Sequence, residues 1–264
     1  MMKMLKKRML IIAILAISTG LSCKKEKSEN GLPPVVVEPG KEEQAAEFLP
    51  AKIGSGNTSQ LFTYSNGNYL TKIEYGDGTS AVLTYDSNKQ PLTFQNLKGN
   101  VLTYESEYVL NAAGQIVRIN QYKVSGASIS PDGYCLLEYN IAGQLVKLSD
   151  YSQAKKLTTE RIRIYSASGN LISESNTTAH ETATYNFDEK EAIFKHVLYA
   201  DLFALGTGDQ LLNSGVNNIT NRKVAENSSA DQSYSYVYNK TGFPQTLSYK
   251  KSNVTVSNAK VVYQ

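Results

Sequence analysis

The side chains that could do chemistry in this chain are few and dispersed. Its two histidines, His180 and His196, stand in unrelated settings, one in a polar Thr-Thr-Ala-His-Glu stretch and one in an apolar segment. A histidine becomes a general base or a metal ligand only with a partner in reach. Neither setting offers one, so both read as surface or helix-flank residues. Cys135 lies in Tyr134-Cys-Leu-Leu with no histidine close in sequence, the pattern of a small core residue rather than a nucleophile. Gly206-Thr-Gly208-Asp-Gln lacks the Lys-Ser/Thr and the preceding strand of a phosphate loop, and reads as a helix terminator. Asp77 and Asp86 belong to turns, with no calcium-loop spacing. The remaining acids are scattered and nominate no glycosidase pair. No catalytic, cofactor-binding or metal-binding residue is therefore named, and the chain is read as not an enzyme.

Cys23 has a chemistry of a different kind. Lys3, Lys6, Lys7 and Arg8 precede an unbroken apolar run over residues 9–17, and Ser18-Thr-Gly-Leu-Ser22 leads into the cysteine. That is a signal peptide over residues 1–22, too short in its apolar part to cross a bilayer about 30 Å thick. Leu21-Ser22-Cys23 resembles the lipobox of bacterial lipoproteins, which implies that Cys23 is the lipidation site and the new N-terminus. Leu21 stands one place nearer the cysteine than in the common pattern. The resemblance implies a membrane partner held through a diacylglyceryl cysteine. It also implies an outer-membrane lipoprotein, facing the periplasm or the cell surface.

Removing the signal changes the charge. The chain has 27 Lys+Arg against 24 Asp+Glu, and the four basic residues of the signal leave 23 against 24. A mature charge near −1 gives no reason to expect nucleic acid as a partner. With Cys23 acylated, Cys135 has no disulfide partner. Residues 23–52 are charged and carry Pro33, Pro34 and Pro39, the composition of a flexible tether. The folded domain is expected over 53–264.

That domain repeats itself. Leu110-Asn-Ala-Ala-Gly-Gln-Ile-Val-Arg-Ile is rewritten as Tyr139-Asn-Ile-Ala-Gly-Gln-Leu-Val-Lys-Leu, and variants begin at Tyr64, Tyr85, Tyr165 and Tyr238. Asn, Asp or Ser at the second place can start a turn, and glycine three residues on supplies the positive φ that closes it. Gly114, Gly143, Gly169 and Gly242 hold that place, with Asn68 and Lys89 expected to substitute in two copies. Apolar residues recur six and nine places after the start. Between turns the side chains alternate: Leu102, Tyr104, Tyr108 and Leu110 share one parity, and Ile162 and Ile164 are expected to oppose Arg161 and Arg163. The pattern predicts an all-β protein, an antiparallel up-and-down meander of repeated hairpins forming a large curved sheet or barrel. Strands of five to eight residues are expected, and some six or seven hairpins.

Residues 70–86, Leu-Thr-Lys-Ile-Glu-Tyr-Gly-Asp-Gly-Thr-Ser-Ala-Val-Leu-Thr-Tyr-Asp, resemble a tyrosine–aspartate repeat of the Rhs type. The order of elements is similar to a Bacteroidetes lipoprotein domain of unknown function with a porin-like fold. On that likeness, 188–205 is the charged-to-apolar segment, Asn217-Asn-Ile-Thr an Asn-rich turn, and 234–239 the final Tyr-x-Tyr-x-Tyr-Asn strand. The family implies no activity.

Within 188–205, Ile193, Phe194, Val197, Leu198, Leu202 and Leu205 fall at helical spacing, Asp188 and Glu191 suit a capping box, and Gly206 a terminator. One helix is expected there, covering an open end or edge of the sheet. The expected strands are shorter than the 9–11 residues of a membrane-spanning barrel. The domain is thus read as a water-exposed, lipid-tethered, non-enzymatic binding or structural module of the cell envelope. Its ligand is left open among glycan, lipid and protein. The alternatives are an envelope hydrolase acting on glycans, and an Rhs-like shell fragment too short to enclose a cargo. The 18 tyrosines, with no tryptophan, suit a ligand groove, but more simply suit strands.

Overall fold

A computed structural model describes residues 48–264 apart from 214 and 253. The signal, Cys23 and residues 24–47 lie outside the described residues. The alternating pattern becomes sixteen antiparallel strands: β1 Pro50–Ile53, β2 Gln60–Ser65, β3 Tyr69–Tyr75, β4 Thr79–Tyr85, β5 Pro91–Lys98, β6 Val101–Leu110, β7 Ile116–Ser125, β8 Ser128–Tyr139, β9 Leu145–Ser152, β10 Leu157–Tyr165, β11 Leu171–Asn176, β12 Glu181–Glu191, β13 Asn217–Val224, β14 Gln232–Tyr238, β15 Pro244–Lys251 and β16 Val254–Tyr263. Each pairs with its chain neighbours, and β1 pairs with β16, so the sheet is a closed barrel with no free edge. The first strand starts at Pro50, three residues ahead of the expected Ile53. Several strands also outrun expectation, with ten residues in β6 and β7 and twelve in β8. Residues 234–239 are not final, because two strands follow them.

The repeat has a geometric cause. Two positions three apart in a regular strand face opposite sides, yet Ile116 and Ile119, and Leu145 and Leu148, are both buried. The ladder slips by one residue just after every repeat turn. Leu110 pairs with Ile116 but Val109 with Arg118; Tyr139 pairs with Leu145 but Glu138 with Lys147; Tyr165 pairs with Leu171 but Ile164 with Ser173. The same β-bulge follows Tyr64, Tyr85 and Tyr238. One extra residue converts an odd spacing into two inward side chains and sharpens the curvature that closes the barrel.

All repeat turns lie at one end of the barrel. The long connection from β12 to β13 also leaves from that end and runs into the lumen. It carries α1, Ala200–Thr207, with Leu202, Phe203 and Ala204 buried against the inner wall. The helix thus occupies only the last part of the predicted segment. Asp188 and Glu191 are claimed by β12, which pairs Glu191 with Asn217 and places Asn217-Asn-Ile-Thr in β13 rather than in a turn. With no sheet edge left to cover, the segment enters the lumen. Its terminator is Gly208, at φ 76°, two residues past Gly206.

Phe203 packs edge-on to Phe94 of β5, ring centroids 5.5 Å apart. Sixteen strands would otherwise enclose a water-filled channel. Here the chain supplies its own plug.

The outer wall carries ion pairs and hydrogen-bonded polar side chains among exposed apolar ones. Lys147 of β9 bridges Glu138 of β8 at 3.6 Å and Glu160 of β10 at 3.0 Å, Lys72 pairs with Glu74 on β3, and Gln95 donates to Glu105 at 2.6 Å.

Candidate functional site

At the repeat-turn end the expected chemistry of the turns is present. Asn111 and Asn140 each accept two backbone N–H bonds through Oδ1, as do Asp86 and Asn239. Gly114, Gly143, Gly169 and Gly242 have φ of 79°, 77°, 95° and 89°, and Lys89 takes the same conformation at 62°. Asn68 does not. In that copy Asn66 and Gly67 carry the positive φ. Asn68 holds the plug instead, its Nδ2 donating to His196 O at 2.8 Å and its carbonyl accepting Leu198 N at 2.9 Å.

Tyrosine is the second recurring device. Four of the five repeat tyrosines donate to a backbone carbonyl of the preceding strand, Tyr64 to Pro50 at 2.8 Å, Tyr85 to Leu70 at 2.6 Å, Tyr139 to Ile116 at 2.9 Å and Tyr165 to Leu145 at 3.0 Å, and Tyr263 of β16 does the same to Pro244 at 2.9 Å, whereas Tyr238 donates to the Asp188 carboxylate. The β7–β8 ladder ends at Arg118 and Leu136, so Tyr139 ties together strand ends that have splayed apart. Burial pushes the Tyr139 hydroxyl up to about 12. These hydroxyls are structural donors.

Counting back by twos from an inward tyrosine gives the rest of the interior, and there β10 reverses the expected parity. Arg161 and Arg163 point in with Tyr165, and Ile164 is exposed. Arg163 is tolerated inside because its Nε donates to Glu174 Oε2 on β11 at 2.7 Å. Arg161 pairs with Asp150 on β9 at 3.3 Å. Apolar side chains went outward because the interior of this sector is charged and paired.

None of the candidate catalytic groups converge. His180 is in the β11–β12 turn at the far end of the barrel, and His196 on the plug at the repeat-turn end, 3.6 Å from Glu191. Cys135 faces the core, where burial and the neighbouring Asp150 push its thiol up to about 12, far from a working thiolate. Among the described residues no group of three His, Cys, Asp or Glu could hold a metal ion.

Two cavities of about 320 Å³ flank the plug. The one at the far end is lined by Gln60, Asp209, Gln232, Tyr234 and Tyr249. Its carboxylate is engaged, with Gln60 Nε2 donating to Asp209 Oδ2 at 2.7 Å and Leu211 N to Oδ1 at 3.0 Å.

The other opens among the repeat turns, with Gly143 and Gly169 at its rim, Tyr139, Tyr165 and Arg163 on its wall, and Asp201 of α1 facing them. Tyr199, held in the left-handed region at φ 62°, turns the chain from the rim into the lumen and so places Asp201. The Asp201 side chain is accessible to solvent through this cavity, although protein surrounds it. Burial raises its pKa above the ordinary carboxylate value, and Arg163 opposes that rise. Sequence reading singled out the two rim glycines as turn formers only. Asp201 carried no sequence signal, since it sits in a segment where the apolar residues alone set the pattern.

No protein-family model and no curated protein matches the chain. Among solved structures it is similar to a porin-like protein from Bacteroides uniformis, at 14% identity and a TM-score of 0.51, covering 83% of this chain and 97% of that one. It also aligns with a Photorhabdus luminescens Tc holotoxin pore at 13% identity and a TM-score of 0.30, covering 77% of this chain but 9% of that one. The first likeness shows the fold: a porin-like β-barrel.

Proposed function

We propose that this chain is a lipid-anchored, non-enzymatic module of the cell envelope, a water-exposed barrel that serves as a binding or structural element at the outer membrane. The plugged lumen inside a charged outer wall carries this reading. A lysine or arginine facing hydrocarbon costs roughly 2–4 kcal/mol at mid-bilayer, so strands bridged by Lys147, Glu138 and Glu160 suit water on the outside. Such a barrel needs a separate anchor. Leu21-Ser22-Cys23 after the apolar run supplies it, and two acyl chains suffice for stable attachment.

The porin-like fold agrees with an envelope location. Against the hydrolase alternative, the inner acids Glu174 and Asp150 are each held by an arginine and Asp209 by Gln60. The Rhs-like shell alternative still suffers from size, because eight hairpins already close on themselves around their own plug.

Cys23→Ala should leave the membrane fraction and remain folded when the full chain is expressed in a Gram-negative host. A variant that stays wholly with membranes would refute the anchor.

A further inference from the structure

The bulge after each repeat turn has a second effect. It leaves one extra residue on the outer face, seven places after the start of each copy: Leu92, Val117, Val146 and Ile172 in four copies, Thr71 and Gln245 in the others. On the strand entering the turn, the residue just before the start of a copy also points outward. Val109, Ile164 and Val237 stand there, all exposed. From β5 to β11 the resulting arc of apolar side chains is broken only at Glu138, whose carboxylate meets Lys147 at 3.6 Å. Strand propensity alone would spread such residues along the wall. Here the exposed ones gather at its rims.

The two rims differ in their turns and in what joins them. The repeat-turn tips, residues 66–68, 87–89, 112–114, 141–143, 167–169 and 240–242, carry Lys89, Lys240 and a fully exposed Ile141, and no acid. The opposite rim exposes Val101, Ile129 and Leu157, but its turns include Asp77 and Glu226. The segment that follows Cys23 reaches the barrel at the repeat-turn rim. There Gln264 N donates to Leu49 O at 3.0 Å and Pro50 pairs with Tyr263, whose hydroxyl reaches Pro244 just past a repeat turn.

We propose that the repeat-turn rim docks on a lipid bilayer, so that the barrel stands end-on upon the membrane that holds Cys23. Apolar side chains at one height on a cylinder all meet a plane at once, whereas a folded partner would cover one side. Interfacial apolar groups sink about 5–10 Å, to the boundary between headgroups and acyl chains, which takes in the turn tips and the bulge residues and leaves the ion-paired middle of the wall in water. Lys89 and Lys240 then lie among lipid phosphates. The proposal rests on the reading of the chain as an anchored module and gives that module its membrane-facing end.

The test holds residues 23–264, with Cys23→Ala and an N-terminal hexahistidine tag, on phosphatidylethanolamine–phosphatidylglycerol vesicles through a nickel-chelating lipid. Cys135 is buried and escapes labelling. Val109→Cys, Ile164→Cys and, at the opposite rim, Ile129→Cys each receive a polarity-sensitive fluorophore. On vesicles, emission from 109 and 164 should shift to the blue and lose roughly half or more of its intensity to lipids spin-labelled near the headgroup. Emission from 129 should stay as in water. The proposal is overturned if either repeat-turn site emits as in water, or if 129 is quenched as strongly. A blue shift at 109 and 164 that needs no vesicles and grows with protein concentration would also overturn it, making the rim an interface between copies. Because the nickel lipid replaces the acyl chains, this test and the release of Cys23→Ala from membranes fail independently.

Discussion

The repeat tyrosines show what a single hydroxyl does in this barrel. Where the β7–β8 ladder stops at Arg118, the Ile116 carbonyl is taken by Tyr139 at 2.9 Å. Removing one partner of a buried bond costs about 1–3 kcal/mol. Tyr139→Phe should therefore lower stability by about 1–2 kcal/mol in urea melts. Tyr122→Phe, whose exposed hydroxyl meets Glu107, should change it by under about 0.5 kcal/mol.

Asp201 gives the opposite kind of residue effect. Its folded pKa is raised by burial, so between the ordinary carboxylate value, about 3.9, and that raised value the native state holds a proton the unfolded chain has released. Ionising it on the folded side is unfavourable, and its contribution to stability falls as pH rises through that window. Asp201→Asn should accordingly be more stable than the parent near pH 7, and the gain should shrink as pH drops towards 4. Chemical melts across that range check it, and a gain that grows on acidification would refute it. None of this was legible in sequence, because a carboxylate two residues after an apolar stretch reads as an ordinary surface acid.

At the scale of elements, turn, bulge and tyrosine form one device repeated around the barrel. The turns were readable because Asx side chains and positive-φ glycines act locally. The bulge was readable only as an unexplained spacing of six and nine, since its consequence is a change of face relative to a neighbouring strand. The parity error on β10 has the same root. Hydrophobicity put Ile162 and Ile164 inside, whereas the tyrosine at 165 fixes which side is inner and the arginines follow it, paired with acids on strands 9 and 11.

The plug was half legible: Ile193, Phe194, Val197 and Leu202 are buried while Leu198 is exposed, and the helical spacing of Ile193, Phe194 and Val197 comes from a turn-rich approach rather than a helix. At Gly206, in the last turn of α1, a Cβ would lie 2.3 Å from the Phe94 ring. Gly206→Ala must therefore displace Phe94 or the plug, at about 1–3 kcal/mol. Hydrogen exchange should rise selectively over 192–216, and uniform exchange across the barrel would argue against a separable plug.

For the whole molecule, the decisive contrast lies between the two faces of one wall. The inner face carries Phe94, Leu83, Leu70 and the tyrosines against the plug, and the outer face carries lysines, glutamates and threonines, with exposed apolar residues such as Leu92, Val109, Ile164, Ile172 and Val237 beside the repeat turns. A membrane-spanning barrel reverses this order, with apolar side chains outside and a polar lumen. Closure into a barrel could not be read from the chain, because it depends on β1 meeting β16 across more than two hundred residues.

Ile162, outward between Arg161 and Arg163 near the middle of β10, offers a direct test. If the outer face meets water, Ile162→Lys moves a charge between two aqueous surroundings and should cost no more than about 1 kcal/mol even opposite Lys147. If it meets lipid, the same change costs roughly 2–4 kcal/mol. Urea melts of the parent and variant chains in liposomes decide between these values. The larger loss would overturn the water-exposed barrel, and with it the need for an anchor at Cys23.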